Sequence, residues 1–209
     1  MADGLEYVVL DAMGVIYRAG DDVGELLIPF LRSKGCTKSA GEIEALYLEC
    51  SLGNMTSREF WEACGIPYHE QLDEEYIQGH TLTDGLTEFL AAVRSRGIRI
   101  ACLSNDVREW SVLLRKRHGL ERDIEHWLIS GDLGVRKPDV EIYRIMLDKL
   151  GVKPWACAFL DDRMPNLRVA RELGMRVLQF GNRTPDAGEE SLDHAATFEE
   201  AKKYILDWI

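Results

Sequence analysis

The stretch YVVLDAMGVI at residues 7–16 decides the fold. Tyr7 to Leu10 are apolar without a break, and the run ends on a carboxylate, Asp11. Polar alternation marks a strand with one wet face; its absence predicts a strand covered on both faces, as in a parallel sheet. The same grammar returns downstream. Ile98 to Leu103 ends at Ser104-Asn105, Ala156 to Leu160 at Asp161-Asp162, and Val177 to Phe180 at Gly181-Asn182. A shorter run, Trp127 to Ile129, precedes Ser130-Gly131.

Helical spacing fills the intervals. Leu86, Phe89, Leu90 and Val93 share one helix face before Gly97, and Ile142, Tyr143, Met146, Leu147 and Leu150 share another before Gly151. Leu167, Ala170 and Leu173 repeat the pattern before Gly174. A glycine just past an apolar stripe is a helix stop. Asp106 and Glu109 have capping-box spacing for a helix running to His118. The segments RSRGIRIACLSN and RELGMRVLQFGN read alike: helix end, glycine, strand. This alternation predicts an α/β fold with a doubly wound parallel sheet. Residues 16–85 differ. Their apolar positions keep helical spacing (Leu26, Leu27, Phe30, Leu31; Ile43, Leu46, Tyr47; Phe60, Trp61), and Thr56 stands three residues before Glu59. They are expected to form a small helical insert, with residues 1–15 and 86–209 making the core.

A chain of 209 residues, 46% hydrophobic, can bury one sizeable core without staples. It has no apolar run of about 18 residues, so no membrane span is expected. The N-terminal MADGLEYVVLDA lacks a basic leader followed by a long apolar stretch, which points to the cytoplasm. Five scattered cysteines, Cys36, Cys50, Cys64, Cys102 and Cys157, form no C-x-x-C pair. They read as small buried residues in a reducing compartment rather than as zinc ligands. A net charge of −11 argues against nucleic acid or an anionic membrane as partner. Any anion site must therefore be local, built from a cation, a lysine and backbone N–H groups.

Sites in parallel sheets form at the carboxyl ends of strands. Asp11, Ser104-Asn105 and Asp161-Asp162 all follow apolar runs directly, and Lys137 stands in R-K-P-D before a helical stripe. Gly14 allows a tight turn after Asp11.

The segments VVLDAMGVI, ACLSN, GVRKPDVEIY and AFLDDRMPN resemble the four motifs of the haloacid dehalogenase superfamily, and LGNMTSREFW resembles a segment of that family's helical cap. The resemblance implies a Rossmann-like core with an inserted cap and a small phosphorylated substrate. It implies Asp11 as nucleophile, Lys137 as its charge partner, and Ser104 and Asn105 as a phosphate cradle. Mg²⁺ would be held by Asp11, by the backbone carbonyl of Met13 and by Asp162, with Asp161 behind them.

Met13 is the departure: family phosphatases carry there the aspartate that protonates the leaving group and activates water, and methionine can do neither. Dehalogenases of the superfamily carry D-x-Y-G-T and need no such acid, since halide leaves unprotonated. This chain has Val15 in place of that threonine and keeps the acidic pair. Phosphonoacetaldehyde hydrolases carry alanine at this place and use a cap lysine; Lys34 and Lys38 match by type alone. A protein that binds a phosphorylated ligand without turnover is a further alternative. The histidines at 69, 80, 118, 126 and 194 show no ligand spacing. His118 at a helix end can favour the dipole as an imidazolium. Tyr47, Trp61 and Trp110 read as packing residues, and Arg18, just past the first motif, as a weak specificity candidate.

Overall fold

Each apolar run becomes a strand. The computed structural model describes residues 4–181 and 192–209; residues 1–3 of the N-terminus, and Asn182 at the expected end of the fourth run, lie outside them. The strands are β1 (Tyr7–Leu10), β2 (Arg99–Ser104), β3 (His126–Ile129), β4 (Cys157–Asp161), β5 (Arg176–Phe180) and a two-residue β6 (His194–Ala195) that the sequence pattern does not reveal. They pair in parallel in the order β3-β2-β1-β4-β5-β6. Ala156 falls outside its expected strand because Pro154–Ala156 forms a tight turn in which the Ala156 N–H donates to Lys153 O rather than to the ladder.

The sheet is buried on both faces, as the unbroken runs require. Val8, Leu10, Ile100, Cys102, Ala158, Leu160, Leu178 and Phe180 point to one side, where α5 (Leu86–Ser95), α6 (Arg108–Arg117) and α10 (Phe198–Asp207) cover them. Tyr7, Val9, Ala101, Leu103, Cys157, Phe159 and Val177 point to the other, under α8 (Val140–Leu150) and α9 (Met164–Glu172). Side-chain period two sorts the same strand residues into two cores. The five cysteines are free and buried.

Between β1 and α5 lies the helical insert. A wide-turn segment, Val23–Leu27, runs into α1 (Ile28–Ser33), followed by α2 (Ala40–Ser51), α3 (Ser57–Ala63) and α4 (Leu72–Ile77). Thr56 and Glu59 form the expected capping box, and Ser39 and Glu42 form a second at the start of α2. Packing does not stop at the insert's edge. Leu27, Leu31, Ile43, Phe60 and Trp61 belong to the same apolar cluster as Val8, Leu10 and Ile100 of the sheet. Gly53 crosses so close to α7 (Ser130–Leu133) that a Cβ would stand 2.5 Å from Gly131 O. The hydroxyl of Ser130 donates to Ser51 O at 2.6 Å.

One carboxylate fastens insert to core. Asp73 accepts from Ser57 at 2.8 Å, from the Trp61 indole at 2.7 Å and from the Trp110 indole of α6 at 2.6 Å. Trp61 and Trp110 are thus packing residues with satisfied polar edges. Asp73→Asn keeps the shape but loses the charge assistance to both indoles. It is expected to lower stability by about 1–3 kcal/mol, read as a lower urea midpoint with unchanged slope.

The capping box at Asp106 does not form. Asp106 is 1% exposed; its N–H donates to Ser130 Oγ and its carboxylate accepts from the adjacent Val107 N–H. The helix therefore starts one residue later, with Val107 at the cap position. His118 does end α6, but burial lowers its pKa, so it is a poor source of the positive charge expected there.

Candidate active site

The strand order reverses direction between β1 and β4, and a doubly wound sheet opens its crevice at such a switch point. Leu10 is in register with Leu160, so Asp11 and Asp161 emerge side by side, with the Asp11 N–H donating to Leu160 O at 2.9 Å. Lys137 reaches between them from the loop before α8. Its Nζ lies 2.7 Å from Asp11 Oδ1 and 2.7 Å from Asp161 Oδ2. All three side chains are buried, and the Lys137 ammonium also lies 5.3 Å from the centre of the Phe159 ring.

The lysine loop is held by Asn105. The Asn105 amide donates to Lys137 O at 2.9 Å and accepts from Lys137 N–H at 2.8 Å. Its side chain therefore positions the lysine, which leaves only its backbone for the cradle role expected of it. Ser104 is placed as expected: its hydroxyl is buried at the end of β2, beside the cavity, with no protein partner.

Asp161 is fixed on every side. Besides Lys137 it accepts from Arg163 N–H at 2.8 Å and from Asn166 Nδ2 at 2.9 and 3.0 Å. Asp162 lies against the turn after β1, where a Cβ on Gly14 would meet its Oδ2 at 2.8 Å. Gly14 also has φ +85°, so both the close approach and the backbone angle require glycine there. Asp11, Asp161 and Asp162 each offer an oxygen within 4.8 Å of the others, a donor set suited to a hard divalent cation.

Burial, and then Asp161, push the Asp11 carboxyl upward against the pull of Lys137. Burial pulls Lys137 down, but Asp11 and Asp161 outweigh it and leave the ammonium more basic than usual. Three clustered carboxylates facing one hydrogen-bonded cation leave an excess of negative charge, which a bound cation would relieve.

The cluster opens into a cavity of about 420 Å³. Met13 lines it, as do Arg136, Arg163 and Tyr47, whose hydroxyl donates to Asn105 O at 3.2 Å. From the insert come Asp21, Asp22 and Glu44. Arg136 and Arg163 were not singled out from the sequence, although each adjoins a motif, in R-K-P-D and D-D-R. Arg18 instead pairs with Asp84 at 2.7 Å beside a separate cavity. Lys34 pairs with Glu75, and neither it nor Lys38 lines the Asp11 cavity. Among the described residues no histidine lines it.

The family model for haloacid dehalogenase-like hydrolases matches residues 8–174. This chain belongs to that family. It is 33% identical over 113 residues to flavin mononucleotide hydrolase 1 of Arabidopsis thaliana, covering 54% of this chain and 46% of that protein. The chain spans less than half the length of the first curated relatives it matches. Among solved structures, a HAD family enzyme of Bacteroides thetaiotaomicron in complex with magnesium and inorganic phosphate superposes with a TM-score of 0.70, at 22% identity over 90% of this chain and 97% of that one. The L-2-haloacid dehalogenase of Xanthobacter autotrophicus, with chloropropionic acid covalently bound, gives a TM-score of 0.69 at 16% identity, over 98% and 100%. Both likenesses establish the shared fold.

Proposed function

We propose that this haloacid dehalogenase-like chain hydrolyses a small phosphorylated metabolite through an aspartyl-phosphate on Asp11, with Mg²⁺ as cofactor. The supporting observation is the convergence of Asp11, Asp161 and Asp162 around Lys137 at the β1/β4 switch point. Lys137 and Asn166 already account for Asp161, so the case for a metal rests on Asp162 standing beside Asp11 and Asp161.

Asp11 attacks phosphorus, the bond to the leaving oxygen breaks, and water then cleaves the acyl phosphate and frees Asp11. Lys137 pulls Asp11 toward its ionised form, against burial and Asp161, and offsets charge on the phosphoryl oxygens. The partnerless Ser104 hydroxyl donates to one of those oxygens, with backbone N–H groups beside it. Asp161, held by Lys137 and Asn166, fixes the orientation of the lysine. Mg²⁺, held by Asp11, Asp162 and the Met13 carbonyl, would supply further charge neutralisation to the phosphoryl group. Residues 16–85 act as the cap, contributing Asp21, Asp22, Glu44 and Tyr47 to the cavity. A cavity of about 420 Å³ suits a small metabolite. The relatives' substrates, a flavin mononucleotide among them, fit the same chemistry. Among the described residues no helix is long and apolar enough to cross a membrane, and five free cysteines fit the cytoplasm.

Met13 favours a second reading, metal-independent carbon–halogen cleavage, because halide needs no proton to leave. A panel of alkyl phosphates, acyl phosphates and 2-haloacids, with Mg²⁺ and with EDTA, separates the two. Phosphate release that stops in EDTA is expected. Release that survives EDTA sinks the metal-dependent reading, and halide release promotes the second one. Phosphate binding without any turnover points to a non-catalytic ligand-binding protein.

A further inference from the structure

With methionine at position 13, the first motif offers no carboxyl to protonate a leaving oxygen. We propose that Asp22, contributed by the insert, is the proton donor and acceptor of this site. The assignment rests on the aspartyl-phosphate reading above. Asp22 lines the cavity that Asp11 and Met13 also line, and it is 5% exposed. Its Oδ2 is buried without a hydrogen-bond partner. It stands just before the helical segment Val23–Leu27, yet its side chain does not cap that helix. A buried carboxyl oxygen with no partner is costly and needs a reason.

The other insert carboxyls on the cavity are poorer candidates. Asp21 and Glu44 are exposed, and Asp21 already accepts from Gly24 N–H at 3.2 Å. The Tyr47 hydroxyl is committed to Asn105 O, and burial makes it a far weaker acid. Burial pushes the Asp22 carboxyl up to about 7, against the pull of the Arg163 guanidinium and with a smaller upward push from Asp21. Tyr47, Tyr76 and Asp106 also lie within its field. Such a group supplies both protonated and ionised forms near neutrality, as acid and base work requires.

The proton balance is complete. As Asp11 bonds to phosphorus and the bond to the leaving oxygen breaks, the Asp22 proton passes to that oxygen and the alcohol departs. Water then attacks the aspartyl-phosphate and gives a proton to the Asp22 carboxylate. Asp11 is freed, phosphate leaves, and Asp22 is protonated again.

The test compares the parent with Asp22→Asn on β-glycerol phosphate, whose alkoxide must be protonated, and on acetyl phosphate, whose acetate need not be. The ratio kcat/KM reads phosphoryl transfer to Asp11. It is expected to fall by about 10²–10⁴-fold on the glycerol ester and by less than about tenfold on acetyl phosphate. Met13→Asp in the Asp22→Asn background is expected to restore the glycerol ester. Equal losses on both substrates, or no loss on either, overturn the assignment. A parent active on acetyl phosphate but inert on the glycerol ester also overturns it, while leaving the aspartyl-phosphate reading intact. A parent silent on both with Mg²⁺ overturns that reading itself, and this assignment with it. A series of aryl phosphates on the parent tests the point without any variant: a shallow dependence on leaving-group pKa supports Asp22, and a steep one removes it.

Discussion

Asp11→Asn is expected to reduce phosphate release by about five to six orders of magnitude, the scale seen when a nucleophile is removed from a catalytic unit. The carboxamide keeps the side chain's shape and can still meet Lys137 through its oxygen. It cannot form a stable acyl phosphate. Acid-quenched parent enzyme should carry a hydroxylamine-labile phosphoryl group, and the variant none. Stability separates this loss from misfolding. Asp11 lies buried beside Asp161, and burial together with that neighbour disfavours its charge. Neutralising it is expected to leave the urea midpoint unchanged or higher. A variant that turns over normally, or that loses activity only by unfolding, would remove Asp11 from the nucleophile's role.

Lys137→Met carries the opposite stability signature. The lysine is the ammonium between two buried carboxylates, at 2.7 Å from each. Methionine fills much of its volume but leaves Asp11 and Asp161 facing each other without compensation. Breaking a buried pair in this way costs about 3–5 kcal/mol. Loss of one preorganised donor to the developing charge is expected to reduce turnover by about 10²–10³-fold as well. Chemical denaturation and phosphate release measured on the same preparation check both. The two variants thus differ in sign: one removes a charge that the fold tolerates poorly, the other removes the charge that makes it tolerable.

Much of the sheet was legible because a strand covered on both faces has no polar positions to obscure it. Tyr7 to Leu10 and Cys157 to Leu160 are such runs, and each leads into the carboxylate that reaches the switch point. Lys137 and Ser104 were legible through their motifs. The rest depended on tertiary contacts that spacing does not encode. Asp22 belongs to no motif and carries no signal in the sequence; only the fold buries it beside the cavity. Arg136 and Arg163 have no motif role of their own, and only the fold brings them to the cavity wall. Asp106 has the spacing of a cap but is drawn inward by Ser130. The helix α4 has three acids in its first turn and six residues in all, too few for a periodic signal. The strand β6 has only two residues.

The shared apolar cluster and the Asp73 clasp have a consequence for motion. A lid that swings on a hinge needs a seam of weak, wet contacts along which to part. Here the seam between insert and sheet is filled by Phe60, Trp61, Trp110 and the backbone crossing at Gly53. To lift the insert as a rigid body would expose those rings and strand the Trp110 indole N–H, whose acceptor Asp73 would leave with the insert. Wide opening would thus carry the cost of partial unfolding. Admission to the cavity would then fall to the exposed side chains of its wall, Asp21, Glu44 and Leu48 from the insert among them. Such a gate would work by side-chain rotation, fast and narrow, and would screen guests by girth before any chemistry begins.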